Sequence, residues 1–156
     1  MIKEINDFAS LFGSSLRLNE ELIVKKQNRY FLLNEVLKKD VSKDFFYAGI
    51  YLGKTAGGKL FPGFELLRLL AEKKANSIIV DKKTAWLFVC GRDIFKQGIV
   101  NTFGSSRKGE HVLVLNDHAE CLGYGIIVAD LDKIVRGLAV WNILDIGDFL
   151  RREKEE

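Results

Sequence analysis

The sequence predicts an α+β protein in two parts, an N-terminal α/β domain with an antiparallel sheet over residues 1–74 and a small, nearly closed β-barrel over residues 75–156. In the first part, segments with helical spacing of apolar residues alternate with hairpin patterns. In the second part, short apolar runs are separated by Gly, Asp, Asn or Lys, which is typical of many short strands. These runs are 77–80, 85–89, 99–103, 111–115, 123–128 and 137–143.

The chain begins with a predicted helix over residues 2–12, because apolar residues recur there every three or four positions. Gly13 suits the C-terminal end of that helix. Residues 21–26 and 29–33 are short apolar runs separated by Gln27-Asn28, and this pattern predicts a hairpin.

Asn34 is a predicted N-cap for a short helix over residues 35–39. Residues 45–52 predict an apolar strand, and the glycine-containing turn over residues 55–58 leads into a second strand. Pro62 suits the first turn of a leucine-rich helix that ends the first part. No Pro/Ser-rich linker follows this helix, so we expect the two parts to dock closely.

One short helix is predicted to interrupt the strands of the second part, at residues 92–97 between Gly91 and Gly98. Arg92 and Lys96 would then share one face of that helix, since they are four positions apart. The apolar pair between them would pack the helix onto the barrel.

The charge is spread unevenly: residues 1–74 hold 13 basic and 9 acidic side chains, whereas residues 75–156 hold 11 and 12. A net charge of +3 permits nucleic-acid binding without demanding it. No apolar stretch approaches the ~18 residues needed to cross a bilayer, and no signal peptide is visible. We expect Cys90 and Cys121 to be reduced core residues, because both lie in apolar runs.

Three patterns that suggest chemistry are weak. Residues 48–55 fit a loose phosphate-loop pattern, but a strand and a turn are expected there instead of a loop and a helix. The histidines and cysteines lack the paired spacing of zinc sites, and Asp117, His118 and Glu120 lie on an expected hairpin turn without a pocket. The sequence therefore predicts a non-catalytic protein with no metal and no cofactor.

Basic residues of the second part are the better candidates, because cations and flexible backbone N–H groups bind phosphates. Residues 104–109 predict a flexible basic loop. The candidate RNA-binding residues are Arg151, Arg152, Lys154, Arg92, Lys96, Arg107 and Lys108. Base stacking would need exposed aromatic residues, for which the candidates are Tyr30, Tyr47, Tyr51, Phe103 and Trp141.

Several segments together resemble one family. They are 47–54, 86–91, 91–98, 122–125 and 145–153. The predicted helix in 91–98 with its flanking glycines looks like the first helix and glycine turn of a PUA domain, a pseudo-barrel found in RNA-modifying enzymes and ribosome-assembly factors. The chain as a whole is similar to large-subunit ribosome biogenesis proteins of the nuclear-import-protein (NIP) type, which archaea and eukaryotes share.

The resemblance implies an N-terminal α/β domain followed by a PUA domain, and a role in large-subunit pre-rRNA maturation without catalysis. It implies binding to single-stranded, uridine-rich RNA through basic residues near the C-terminus, which match Arg151, Arg152 and Lys154. The N-terminal domain would contact other assembly factors, and no membrane partner is expected. The chain length favours an archaeal source and a cytoplasmic location, whereas a eukaryotic member would be nuclear or nucleolar. The alternative is a PUA-containing RNA-modification enzyme or its RNA-targeting subunit.

Overall fold

A computed structural model describes residues 2–41, 45 and 47–152. Within this part of the chain, no helix is long and apolar enough to cross a membrane. The helices are α1 (Lys3–Ser10), α2 (Glu35–Asp40), α3 (Phe64–Glu72), α4 (Lys82–Val89) and α5 (Ile146–Arg152). The strands are β1 (Ile23–Lys26), β2 (Arg29–Leu32), β3 (Ile50–Ala56), β4 (Lys59–Pro62), β5 (Ser77–Val80), β6 (Ile94–Phe95), β7 (Ile99–Phe103), β8 (His111–Leu115), β9 (Cys121–Ile127) and β10 (Leu138–Asp145).

The first sheet is antiparallel, in the order β1-β2-β3-β4. The predicted hairpin is confirmed, with Lys26 opposite Arg29 and Gln27 at a φ of 55° in the turn. The predicted cap of α2 is also confirmed, because the Asn34 side chain accepts a hydrogen bond of 2.7 Å from the backbone N–H of Leu37. Local sequence signals were sufficient at these two places.

Two predictions for the first sheet were wrong in their bounds. The strand expected over residues 45–52 begins at Ile50, since Gly49 has a φ of 70° and an extended strand does not pass through that conformation. Pro62 ends β4 instead of starting the next helix, which begins at Phe64. The missing N–H of Pro62 is tolerated because β4 is an edge strand.

The second sheet has the order β6-β10-β9-β8-β5-β7 and curls into a pseudo-barrel. Its pairs are antiparallel except for β5 and β8, which run parallel. This sheet and the antiparallel first sheet together confirm the predicted α+β class. Five of the six predicted runs in this half form strands close to their expected positions.

The run at residues 85–89 is a helix, so the predicted strand was wrong. The Asp81 side chain starts α4 by accepting a 2.7 Å hydrogen bond from the backbone N–H of Thr84. Phe88 is the fully buried residue of this helix and packs with Ile78 and Val140 under the curled sheet. A short apolar run is ambiguous between strand and helix, and here the cap decides.

The helix predicted at residues 92–97 was also wrong. Ile94 and Phe95 form β6, which pairs with the C-terminal strand β10, and a 3-10 turn follows at Lys96–Gly98. Arg92 and Lys96 therefore do not share a helix face. Ile94 is fully buried and lies opposite Val140, so long-range pairing overrides the helical spacing of this segment.

A core cluster spans the predicted boundary at residues 74–75. The rings of Phe8 in α1 and of Phe12 just after that helix meet the Tyr124 ring of β9 edge-on, at centroid distances of 5.7 and 5.4 Å. His111 of β8 joins this cluster, and burial lowers the pKa of its imidazole. The first helix of the chain is thus packed on the second sheet.

Candidate nucleic-acid interface

The loop that follows α4 is fixed by the side chain of Asn142 in β10. The Asn142 amide donates hydrogen bonds to the carbonyl of Phe88 at 2.9 Å and to that of Arg92 at 3.3 Å. The Asp93 carboxylate in turn accepts from the backbone N–H of Asn142 at 2.9 Å. Gly91 has a φ of 90°, a backbone conformation that residues with a side chain rarely adopt. The chain turns at this glycine, between the contacts of Asn142. The loop presents exposed Arg92 from a rigid frame.

Arg151 of α5 belongs to the same network. Its guanidinium donates to the carbonyl of Val89 at 2.8 Å and to both carboxylate oxygens of Asp145 at 2.9 and 3.1 Å. Asp145 is only 3% exposed, and it also accepts from the Asn142 amide at 3.1 Å. Arg151 therefore ties α5 to the end of α4. Its predicted contact with RNA stays a prediction, and any such contact would use the face that these bonds leave exposed.

The other two predicted residues at this end are less informative. Arg152 lies at the end of α5, and Lys154 lies outside the described residues.

The helix α4 carries an exposed surface that the sequence reasoning missed. Lys82 and Lys83 lie four and three positions before Trp86, so the three side chains share one helix face. Trp86 is 69% exposed, which is unusual for so large an apolar ring. We call these three residues, together with exposed Arg92 in the loop after the helix, the α4 surface. The sequence signal for this helix is Asp81, an N-cap residue type three positions before Thr84. Recognising that cap would have predicted α4 and the shared face of its lysines and tryptophan.

The loop with Arg107 and Lys108 joins β7 to β8, and both side chains are exposed. Its backbone is held at two points: Ser105 donates to the Asn76 side chain at 2.9 Å, and Lys108 donates to the Asp130 carboxylate at 2.7 Å. This second bond is the main cause that lowers the pKa of Asp130. The loop is thus more ordered than its sequence predicts.

The predicted cations come from different segments of the second sheet. Arg92 precedes β6, and Arg107 lies in the loop that follows β7. Lys96 is half-buried, and its backbone N–H donates to the carbonyl of Gly137 at 2.8 Å. Arg92 and Arg151 are brought together, since both flank the end of α4.

The structure separates the candidate stacking residues by exposure. Tyr30 is fully buried, with its hydroxyl donating to Glu4 at 2.9 Å, and is thus removed from the candidates. Tyr51 is half-buried. Tyr47, Phe103 and Trp141 are exposed and remain available for stacking.

A cleft of about 470 Å³ lies between the first sheet and the β10–α5 segment. Tyr47 and Tyr51 form one part of its wall, and both rings rest against the buried ring of Phe31 at centroid distances of 5.2 and 5.7 Å. Burial raises the pKa of Tyr51, although the charge of Arg29 opposes the shift, so the hydroxyl stays protonated at neutral pH. The lining residues are Arg29, Phe31, Tyr47, Tyr51, Lys54, Phe61, Pro62, Tyr124, Ile143, Leu144 and Asp148. We call this the aromatic cleft.

The two cysteines differ from each other in burial. Cys90 is exposed after α4, so its predicted core position was wrong, whereas Cys121 is half-buried at the start of β9. Burial raises the pKa of the Cys121 thiol to about 11. Among the described residues, no cluster of His, Cys, Asp and Glu could hold a metal ion.

We expect a thiol reagent at pH 8 to modify Cys90 rapidly and Cys121 only after unfolding. With a pKa of about 11, roughly one thousandth of the Cys121 side chains would be thiolate at that pH, and the thiolate is the reactive form. The measurement is a time course with a chromogenic disulfide reagent, with and without guanidinium. Cys90→Ser should remove the fast phase and Cys121→Ser should leave it. Two equal fast phases in the native wild-type protein would contradict the assignment.

The curled six-stranded sheet with a helix after its first strand is the architecture of a PUA domain. The sequence profile of the UPF0113 PUA domain matches residues 76–154, about half of the chain. The chain belongs to this family. A PUA domain suggests RNA binding, which agrees with the exposed cations described above. No curated protein sequence matches the chain significantly.

Solved structures support the same fold. A PUA domain from Aeropyrum pernix, crystallised as a tartrate complex, is 25% identical with a TM-score of 0.54 over 64% of this chain, which spans 59% of that protein's length. A conserved PUA domain protein from Thermoplasma acidophilum is 22% identical with a TM-score of 0.62, covering 97% of this chain and 92% of its own. A hypothetical protein from Pyrococcus horikoshii is 17% identical with a TM-score of 0.58 and the same coverage. The last two likenesses include the first sheet and concern the fold alone.

Proposed function

We propose that this protein is a non-catalytic RNA-binding factor that acts in maturation of large-subunit pre-rRNA and prefers single-stranded, uridine-rich RNA. The observation that supports RNA binding best is the PUA domain with an exposed cation–tryptophan face on α4. The ribosomal role and the uridine preference rest on the resemblance of several segments to the NIP-type family. Other assembly factors would dock on the N-terminal half, in the cytoplasm of an archaeal cell or the nucleus of a eukaryotic one.

The α4 surface has the two components that single-strand binding needs. Lys82, Lys83 and Arg92 supply cations for phosphates, which give most of the affinity in non-specific recognition. Trp86 supplies an exposed ring on which an unpaired base can stack, worth about 1–3 kcal/mol per base. A duplex keeps its bases stacked internally, so it can use only the first component. This difference supports a single-strand preference.

We expect the protein to bind a uridine 12-mer more tightly than an RNA duplex of equal length, with an affinity that falls as salt rises. Lys82→Ala with Lys83→Ala should weaken binding about tenfold and reduce the slope of log K against log salt by about 1.4, since each single-strand phosphate contact contributes about 0.7. Fluorescence polarisation at four salt concentrations measures both quantities.

The matched control is Lys39→Ala with Lys73→Ala, which removes the same charge from exposed positions outside α4. Equal weakening by both double variants would show that net charge matters and the α4 surface does not. Absence of binding to either RNA at low salt would reject RNA binding altogether. Co-sedimentation with large-subunit precursor particles, and not with mature subunits, tests the ribosomal role.

A further inference from the structure

We propose that the aromatic cleft holds one unpaired nucleotide of a single-stranded RNA, with the base against the exposed rings and the phosphate at Lys54. This proposal rests on the proposed function and adds a second contact, distant in sequence from the α4 surface. The cleft is built jointly by the first sheet and by β10 and α5. It therefore gives the N-terminal half a part in RNA recognition.

The aromatic residues of the cleft favour a planar, apolar group. Tyr47 is 60% and Phe61 is 50% exposed, so both rings offer a face to a ligand. The ring centroids of Tyr47 and Tyr51 are 6.4 Å apart, and the Phe31 ring packs against both. Since Phe31 is buried, the support is rigid and the exposed rings need little ordering when a base stacks on them. Every base has a π-face, so this wall accepts any base and excludes a paired one.

The strand register places two cations beside the rings. Arg29 of β2 lies opposite Lys54 of β3, and Lys54 lies opposite Phe61 of β4. Lys54 is exposed, so its ammonium group can contact a phosphate. The register thus points the phosphate of a stacked nucleotide toward Lys54, beside the Phe61 ring.

The size of the cleft agrees with a single nucleotide. A volume of about 470 Å³ falls within the roughly 300–1,000 Å³ that small-molecule sites occupy. A duplex is too wide to enter such a space, whereas one nucleotide of a flexible strand can turn into it. The strand would then continue along the protein surface.

The test uses a uridine 12-mer with one central 2-aminopurine, whose fluorescence is quenched when the base stacks. Tyr47→Ala with Phe61→Ala should weaken binding about tenfold and abolish the quenching. Lys54→Ala should weaken binding severalfold while the quenching at saturation remains. Tyr47→Phe retains the ring and should bind like the wild-type protein. Circular dichroism should show an unchanged fold, because the removed rings are half-exposed or more.

The control is Phe95→Ala, which removes a ring of similar exposure on β6, outside the cleft. If the wild-type protein binds the 12-mer and the cleft variants bind it equally well, the cleft proposal is overturned and the proposed function stands. If the wild-type protein binds no RNA, both are overturned. Saturable binding of uridine monophosphate, with 12-mer affinity insensitive to cleft variants, would instead assign the cleft to a free nucleotide and overturn the RNA proposal.

Discussion

Replacing Asp145 by alanine is expected to destabilise the protein by about 2–4 kcal/mol, because removing one partner of a buried ion pair leaves the other uncompensated. Asp145 is 3% exposed and accepts from both the Arg151 guanidinium and the Asn142 amide. The cost is lowered because the Arg151 side chain is 45% exposed, so its charge regains some hydration when Asp145 is removed. Urea unfolding followed by circular dichroism measures the change.

A matched control is the exposed ion pair of Arg68 and Glu72 on α3, in which Nη1 of Arg68 lies 2.7 Å from Oε1 of Glu72. Glu72→Ala should cost less than about 0.5 kcal/mol, since pairs on a helix surface contribute little. If Asp145→Ala costs no more than this control, the network does not hold α4, β10 and α5 together. A double-mutant cycle of Asp145→Asn with Arg151→Gln would report their coupling directly.

The same network bears on the role of Arg151 in RNA binding. A phosphate contact by Arg151 would lower the salt slope by about 0.7 when Arg151 is replaced by alanine. A positioning role, through the carbonyl of Val89 and the Arg92 loop, would weaken binding with the slope unchanged. The structure favours the positioning role, because the guanidinium is already bonded to two groups of the protein.

The sequence was sufficient where the signal for an element is local. The apolar spacing of α1, the Gln27-Asn28 turn and the Asn34 cap each act within a few residues, and each is confirmed. The run at residues 85–89 failed for the opposite reason. Trp86 and Leu87 are both exposed on α4, so the helix lacks the clean apolar stripe that would distinguish it from a strand.

Long-range pairing explains the remaining differences. Arg92 and Lys96 are spaced as on a helix face, yet Ile94 pairs with Val140 of β10, a strand much further along the chain. The aromatic cleft collects residues from three strands of the first sheet and from β9, β10 and α5. No local sequence pattern predicts a site of this kind, because its residues become neighbours only when the two sheets pack. The cations of the α4 surface were visible as residue types but not as a surface.

The second large effect is expected at two glycines of β9, where that strand approaches the backbone of β10. A Cβ at Gly123 would lie 1.9 Å from the carbonyl oxygen of Leu144, and one at Gly125 would lie 2.1 Å from that of Trp141. Both obstacles are backbone atoms of the neighbouring strand, so a side-chain rotation does not relieve them. The strands would have to separate, which weakens their pairing beside the Asn142 network.

Gly123→Ala should therefore destabilise the protein by about 3 kcal/mol or more, since it adds a steric clash to an unfavourable backbone conformation. Gly123 has a φ of 146°, whereas Gly125 has no positive φ and carries the clash alone. We expect Gly125→Ala to cost about 1–3 kcal/mol, as overpacking does. Gly137→Ala tests the unfavourable backbone conformation without a clash, because Gly137 has a φ of 103° and open space around it. We expect this substitution to cost about 1 kcal/mol. Thermal and urea unfolding of the three variants should rank them in this order, and a Gly123→Ala protein as stable as Gly137→Ala would show that β9 and β10 are not packed this closely.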